Sequence, residues 1–194
     1  MSLLKRKPIY GVGINDAEYM VRIVVDGNVV LCPFYRKWHS MITRCLSVNY
    51  QSKHPTYKGV GICNDWLVFS VFKQWMIKQD WQGRDLDKDI LTQGNKIYSP
   101  EFCIFVPNEV NKLFTNRKLA GGDYPQGVHF SVAERKYKAQ CCINGRQDYL
   151  GFFSTPELAS EAYKKAKYKE IKRVALEQND TRLRDALLAY IITE

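Results

Sequence analysis

The chain has no apolar run approaching the roughly 20 residues that a bilayer-spanning helix needs; stretches such as Leu67-Val68-Phe69 are interrupted at once by polar residues. A membrane protein is therefore not expected. The first ten residues carry Lys5, Arg6 and Lys7 with no apolar core after them, so no secretory leader is expected, and the reading is a soluble, cytoplasmic protein. Internal repeats and low-complexity tracts are missing, which removes solenoids and fibrous arrays. None of the six cysteines lies in a C-x-x-C pair, and without an export signal they read as reduced thiols rather than disulfides. Histidine is scarce, with His39, His54 and His129 scattered along the chain. Acidic residues are the minority: 20 Asp and Glu stand against 29 Lys and Arg, giving +9 and a pI near 9.2, a balance that favours a polyanionic partner.

What is present is globular. Hydrophobic residues at 45% and charged residues at 25% exclude wholesale disorder and a collagen-like chain, and 194 residues suffice for one medium domain or two small ones. The polar stretch from Asn116 to Pro125, with Gly121-Gly122 inside it, reads as a linker over 116–126. Most of the positive excess precedes it: residues 1–120 hold 17 basic and 10 acidic groups, and residues 121–194 hold 12 and 10. The division expected is 1–115, a linker at 116–126, a domain at 127–178 and a terminal helix at 179–194.

In the first part, Asp26-Gly27 between β-branched runs signals a hairpin. After Pro33, the spacing of Phe34, Trp38, Met41, Ile42 and Cys45 predicts a helix over 34–46. Trp66, Phe69, Phe72, Trp75 and Met76 form a second apolar face, with Asn64-Asp65 as its expected cap. In the second part, Gly127–Ser131 and Tyr137–Ile143 read as strands, Asn144-Gly145 as a tight turn, and Tyr149–Phe153 as a third strand. Ser154-Thr155-Pro156-Glu157 opens a helix with a hydroxyl cap, a proline in the first turn and an acid near the N-terminus. Leu183, Leu187 and Ile191, at i, i+4 and i+8, predict a last helix over 182–192 that packs on the body or on a second copy as a homodimer.

The β-β-β-helix order carries Gly127-Val128, Tyr137-Lys138-Ala139, Tyr149-Leu150-Gly151-Phe152-Phe153 and Glu161-Ala162-Tyr163-Lys164-Lys165-Ala166. From about Tyr124 to Ala175 it resembles the APETALA/ethylene-response-factor DNA-binding domain. That resemblance implies a sheet whose free face enters the major groove of double-stranded DNA. Alternation places Val128, Ala139, Cys141, Leu150 and Phe153 inward. His129, Ser131, Lys138, Gln140, Cys142, Gln147 and Tyr149 fall near the family's contact positions, with His129, Ser131, Cys142 and Gln147 where that family has arginines. The plain alternative is a solvated sheet face.

Residues 86–113 read Leu86-Asp87-Lys88, then Gly94-Asn95-Lys96, then Tyr98-Ser99-Pro100-Glu101-Phe102-Cys103-Ile104-Phe105, then Pro107 into a short helix with Asn111. With the upstream run from Trp38 to Phe72, residues 32–114 resemble the ββα module of phage HNH homing endonucleases, which would place the protein in a host cell's cytoplasm. The resemblance implies Mg²⁺ or Mn²⁺ held by Asp87 and Asn111, a loop fixed by Asn95, and Lys88 where the family has its general-base histidine. Hard cations take such oxygen ligands, and phosphodiester cleavage needs one. Lys88 is charged at neutral pH beside Asp87 and Asp89, which leaves phosphate binding as its second role. The other reading of this segment is a ββα scaffold that only holds DNA. Arg36, Lys37, Arg44, Lys96 and Lys112 would supply phosphate contacts. Cys32, Cys45, Cys63 and Cys103 suffice in number for a structural zinc, against buried free thiols.

The fold class expected is α+β: an HNH-like ββα module followed by a three-stranded antiparallel sheet on one helix. The function expected is a sequence-specific, metal-dependent DNA endonuclease. The alternatives are a non-catalytic DNA-binding regulator built from such a nuclease, and an interaction protein that dimerises through its last helix.

Overall fold

The structure is a computed structural model that describes residues 6–114 and 124–192; of the expected linker, 116–123 lie outside the described residues. The architecture is mixed α and β with small sheets, and the chain divides into two compact units between Val106 and Pro107. The sequence drew its first boundary at 115, so the short helix carrying Asn111 groups with the second unit.

The first unit opens with strands β1 (Arg22–Val25) and β2 (Asn28–Leu31), an antiparallel pair joined by Asp26-Gly27. Positive φ at both turn residues, 49° and 76°, is the two-residue turn that matches strand twist. Helix α1 (Pro33–Leu46) starts on its proline and buries Trp38, Met41, Ile42 and Cys45, the stripe its spacing predicts. Helix α2 (Val48–Lys53) follows, capped by the Ser47 hydroxyl. The second apolar helix, α3 (Phe69–Ile77), begins later than expected. Asn64–Leu67 form a 3-10 turn, Val68 stands at the cap position, and the free Ser70 N–H donates 2.9 Å to Asp16 Oδ1, far back in the sequence. The expected Asn64-Asp65 cap is thus replaced by a side chain that only the tertiary fold delivers.

Trp38, Trp66, Phe69, Phe72 and Met76 are all at or below 1% exposure, and Trp38 Nε1 donates 2.7 Å to the Trp66 carbonyl. These aromatics are core. Strand β3 (Gly61–Ile62) pairs in parallel with β5 (Ile97–Tyr98), and β4 (Arg84–Asp87) pairs with β6 (Ile104–Pro107).

The second unit begins with helix α4 (Asn108–Leu113); the Phe114 ring after it lies 4.3 Å from the Tyr190 ring, centroid to centroid and tilted. Strands β7 (Val128–Ser131), β8 (Lys136–Ile143) and β9 (Arg146–Phe153) form an antiparallel sheet in the order β7-β8-β9, packed on helix α5 (Pro156–Leu176). The Thr155 hydroxyl caps α5 by accepting from the Leu158 N–H. Val128, Ala139 and Ala159 are buried between sheet and helix, with Leu150 and Phe153 packed against them. Helix α6 (Thr181–Leu188) is shorter than the predicted 182–192. Leu183 and Leu187 are buried and the helix packs on α5, whereas Ile191 lies past its end and is exposed. The Tyr168 hydroxyl donates 2.8 Å to the Tyr190 carbonyl and fixes the tail beyond it. Among the described residues no helix is long and apolar enough to cross a membrane.

Gly127 shows how closely α5 approaches the sheet. Its φ is +78°, and a Cβ there would collide with the Tyr163 ring and stand 2.7 Å from the Gln140 carbonyl oxygen. Gly127→Ala should therefore destabilise the second unit by about 2 kcal/mol or more, from strain and overpacking together. Urea denaturation read by far-UV circular dichroism measures it; an unchanged midpoint would refute the packing.

Candidate metal and nucleic-acid sites

The carboxylate implied for a metal, Asp87, is the last residue of β4. Its Oδ1 accepts the backbone N–H groups of Asp89 (2.9 Å) and Ile90 (2.8 Å), so the side chain caps the turn that ends the strand. Burial, and then the Asp89 carboxylate, push its pKa up to about 6 despite those two donors. From the other side, Lys37 on α1 holds the strand: Nζ donates 2.6 Å to the Arg84 carbonyl and 3.1 Å to Asp85 Oδ1. Lys37 is accordingly engaged in positioning β4.

Lys88 and Asn95 close the loop after the strand. Lys88 is 6% exposed, and its Nζ donates to Asp89 Oδ2 (2.8 Å) and to the Asn95 carbonyl (3.1 Å). In this geometry the Lys88 side chain ties the loop. Asn95 Nδ2 donates to the carbonyls of Lys88 (2.6 Å) and Ile97 (2.7 Å), and Oδ1 accepts the Ile97 N–H at 3.2 Å. Asp87, Lys88 and Asn95 are thus brought together. Asn111 is carried on α4 in the second unit.

Hard oxygen donors suit Mg²⁺ or Mn²⁺, which commonly take one or two carboxylates and complete their shell with water. A carboxyl raised by burial and by a like charge is also the group whose ionisation a cation relieves. Asp87 and Asp89 are two such carboxylates, and among the described residues no third His, Cys, Asp or Glu side chain gathers with them. Zinc finds no matching set: among the described residues no three His, Cys, Asp or Glu side chains gather as ligands. Of the four candidate thiols, Cys45 and Cys103 are buried and pushed up to about 12 by that burial, while Cys32 and Cys63 are half-buried. All four pack in or against the aromatic core.

The other cationic candidates differ in availability. Arg44 Cζ lies 5.7 Å from the Tyr57 ring centroid, with Nη1 3.5 Å from the Tyr98 hydroxyl. Arg36, Lys96 and Lys112 are exposed.

On the sheet, His129 pairs with Lys138, Gln140 with Tyr149 and Cys142 with Gln147, all on the face away from α5. Ser131 sits at the end of β7 opposite Lys136. His129 Nε2 and Gln140 Oε1 share a 2.8 Å hydrogen bond, and Lys138 Nζ lies 5.6 Å from the Tyr149 ring centroid. Phe152 joins this face, its ring 5.4 Å from that of Tyr149, because a bulge sets Leu150 as an extra residue opposite the Ala139–Gln140 step. Alternation alone missed Phe152; Gly151, at φ +130°, was the signal that could have found it. Glu170, 5% exposed on α5, accepts from the Asn144 N–H and from Arg173, locking the β8–β9 turn to the helix.

No protein-family model, curated protein or solved structure matches this chain.

Asp87 titrates at about 6 in the folded chain against an ordinary 3.8. The folded state therefore binds the extra proton between those values, and stability falls as pH rises through that window and stays lower above it. Asp87→Asn should raise the melting temperature by about 5 °C at pH 8, with the gain shrinking towards pH 4. Thermal melts across pH test this; a gain independent of pH would refute it.

Proposed function

We propose that the chain is a DNA-binding protein that cuts or nicks duplex DNA with a divalent metal, a homing-type endonuclease of the HNH kind followed by an APETALA-type reader. One observation carries this reading: the strand-end carboxylate of Asp87, raised by burial and by Asp89, stands beside a loop latched by Asn95, where the resemblance puts the metal-holding aspartate. Asp87 would hold the ion, with Asn111 as the second ligand that the resemblance implies. When bound, Mg²⁺ or Mn²⁺ supplies Lewis-acid stabilisation of the charge that builds on the scissile phosphate. Asn95 keeps the loop closed, and Arg36, Lys96 and Lys112 offer exposed charge to phosphates. The outer sheet face offers Lys138 for phosphate, Gln140 and Gln147 for base edges, and Tyr149 with Phe152 for sugar and base surfaces. Two binding units on one chain lengthen the sequence that is read.

The second reading is a DNA-binding regulator without catalysis. It is favoured by Lys88, whose ammonium is turned into the loop where the related nucleases carry a base.

Incubation with supercoiled plasmid and Mg²⁺ or Mn²⁺ separates the two. The nuclease reading expects relaxed or linear product, reduced about 100-fold or more in Asp87→Ala while binding is retained, and reduced as well in Asn111→Ala. Shifted but uncut DNA would transfer the conclusion to the regulator, and no salt-sensitive binding at all would overturn both.

A separate binding measurement tests the sheet. Tyr149→Ala should weaken duplex binding by about 1–3 kcal/mol, and Lys138→Ala should lower the slope of log K against log salt by about 1. Fluorescence anisotropy over a salt series reads both, and parental values in both variants would remove the sheet from the interface.

A further inference from the structure

A cavity of about 550 Å³ opens in the first unit between the base of the β1–β2 hairpin and helix α1, a size that suits a small molecule. The hairpin supplies Arg22 and Leu31, which face each other across the ladder. Helix α1 supplies Arg36, His39, Ser40 and Thr43 over two turns, with Tyr35 beside them, and α2 supplies Tyr50. No carboxylate lines it. Both guanidiniums are free of ion pairs and hydrogen bonds with every described residue, although two unshielded arginines in one cavity repel each other. Such a pair is stabilised by a shared anion, and the guanidinium fork matches phosphate.

The rest of the lining is aromatic and hydroxylic. The Tyr35 and His39 rings are 5.7 Å apart, and His39 Nδ1 lies 3.4 Å from the Thr43 hydroxyl. Burial lowers the His39 pKa, so at neutral pH the imidazole offers a ring face and a hydrogen-bonding edge rather than charge. The Tyr50 ring packs on His54, with ring centroids 4.3 Å apart. Two cations and three planar rings in one lining make a place for a group that carries a phosphate and a flat heterocycle together.

We propose that this cavity binds a single nucleotide unit, its phosphate on Arg22 and Arg36 and its base against Tyr35, His39 and Tyr50. The unit is either a free mononucleotide or one nucleotide of a single strand; the chemistry recognised is the same. The site stands apart from the cleavage reading and survives its failure.

Calorimetric titration of the full chain with thymidine monophosphate, thymidine, inorganic phosphate and an oligothymidylate of about eight residues tests it. The monophosphate should bind about tenfold or more tighter than thymidine or phosphate alone, and Arg22→Ala and Arg36→Ala should each weaken it about tenfold. Both arginines are exposed, so these variants keep the fold. An oligomer that binds tighter and shows the same losses assigns the site to a strand; an oligomer that binds no tighter assigns it to the free nucleotide. Asp87→Ala should bind the monophosphate as the parent does, whatever becomes of cleavage. Phosphate binding as tight as the monophosphate, affinity unmoved by both arginine variants, or no heat of binding up to about 10 mM ligand would each overturn the proposal.

Discussion

One carboxamide holds the loop between β4 and β5 closed. Asn95 satisfies two carbonyls and one N–H at once, on both sides of the segment between β4 and β5. Few side chains can do this, because donor and acceptor must leave the same planar group in different directions. With that segment closed, the Lys88 ammonium is confined to the acceptors beneath it, and Asp87 is left at the strand end with its own backbone donors. Lys37 fixes the strand from the helix side. Asp87 thus stands at the end of a strand held from the helix side, with its carboxylate bonded to the turn that follows.

The second unit solves a similar problem with charge. Glu170 is nearly buried, which is costly for a carboxylate unless it is fully bonded. Arg173 and the Asn144 N–H meet that demand, and hydrogen bonding to Arg173 is the main reason its pKa lies below the usual carboxylate range. The hairpin tip is thereby tied to the middle of α5, and the free face of the sheet inherits the rigidity of the helix behind it.

Local chemistry was legible where one segment decides its own conformation. Asp26-Gly27 and Asn144-Gly145 turn as their φ requirements dictate, Pro33 and Pro156 open helices, and Thr155 caps the longer one. The grouping of Asp87, Lys88 and Asn95 was also readable, since all lie within nine residues. What escaped depends on distant partners. The α3 cap comes from Asp16, β5 pairs with β3 across more than thirty residues, and Lys37 reaches β4 from α1. The end of α6 was misplaced because the i, i+4, i+8 spacing of leucine and isoleucine continues past Leu188 while the backbone does not. The cavity beside α1 was invisible because Arg22 and Arg36 line one space only in the folded unit.

The bulge in β9 separates two properties that strands usually couple. Before Leu150 the odd-numbered residues point outward, after Gly151 the even-numbered one does, and Tyr149 and Phe152 share a side although three positions apart. A β9 shortened by one residue at Leu150 would keep both rings on that side and lose only the added coil of the strand. Curvature and lettering of this surface are then written by different residues, so selection can bend the sheet to a new contour without rewriting the side chains it displays.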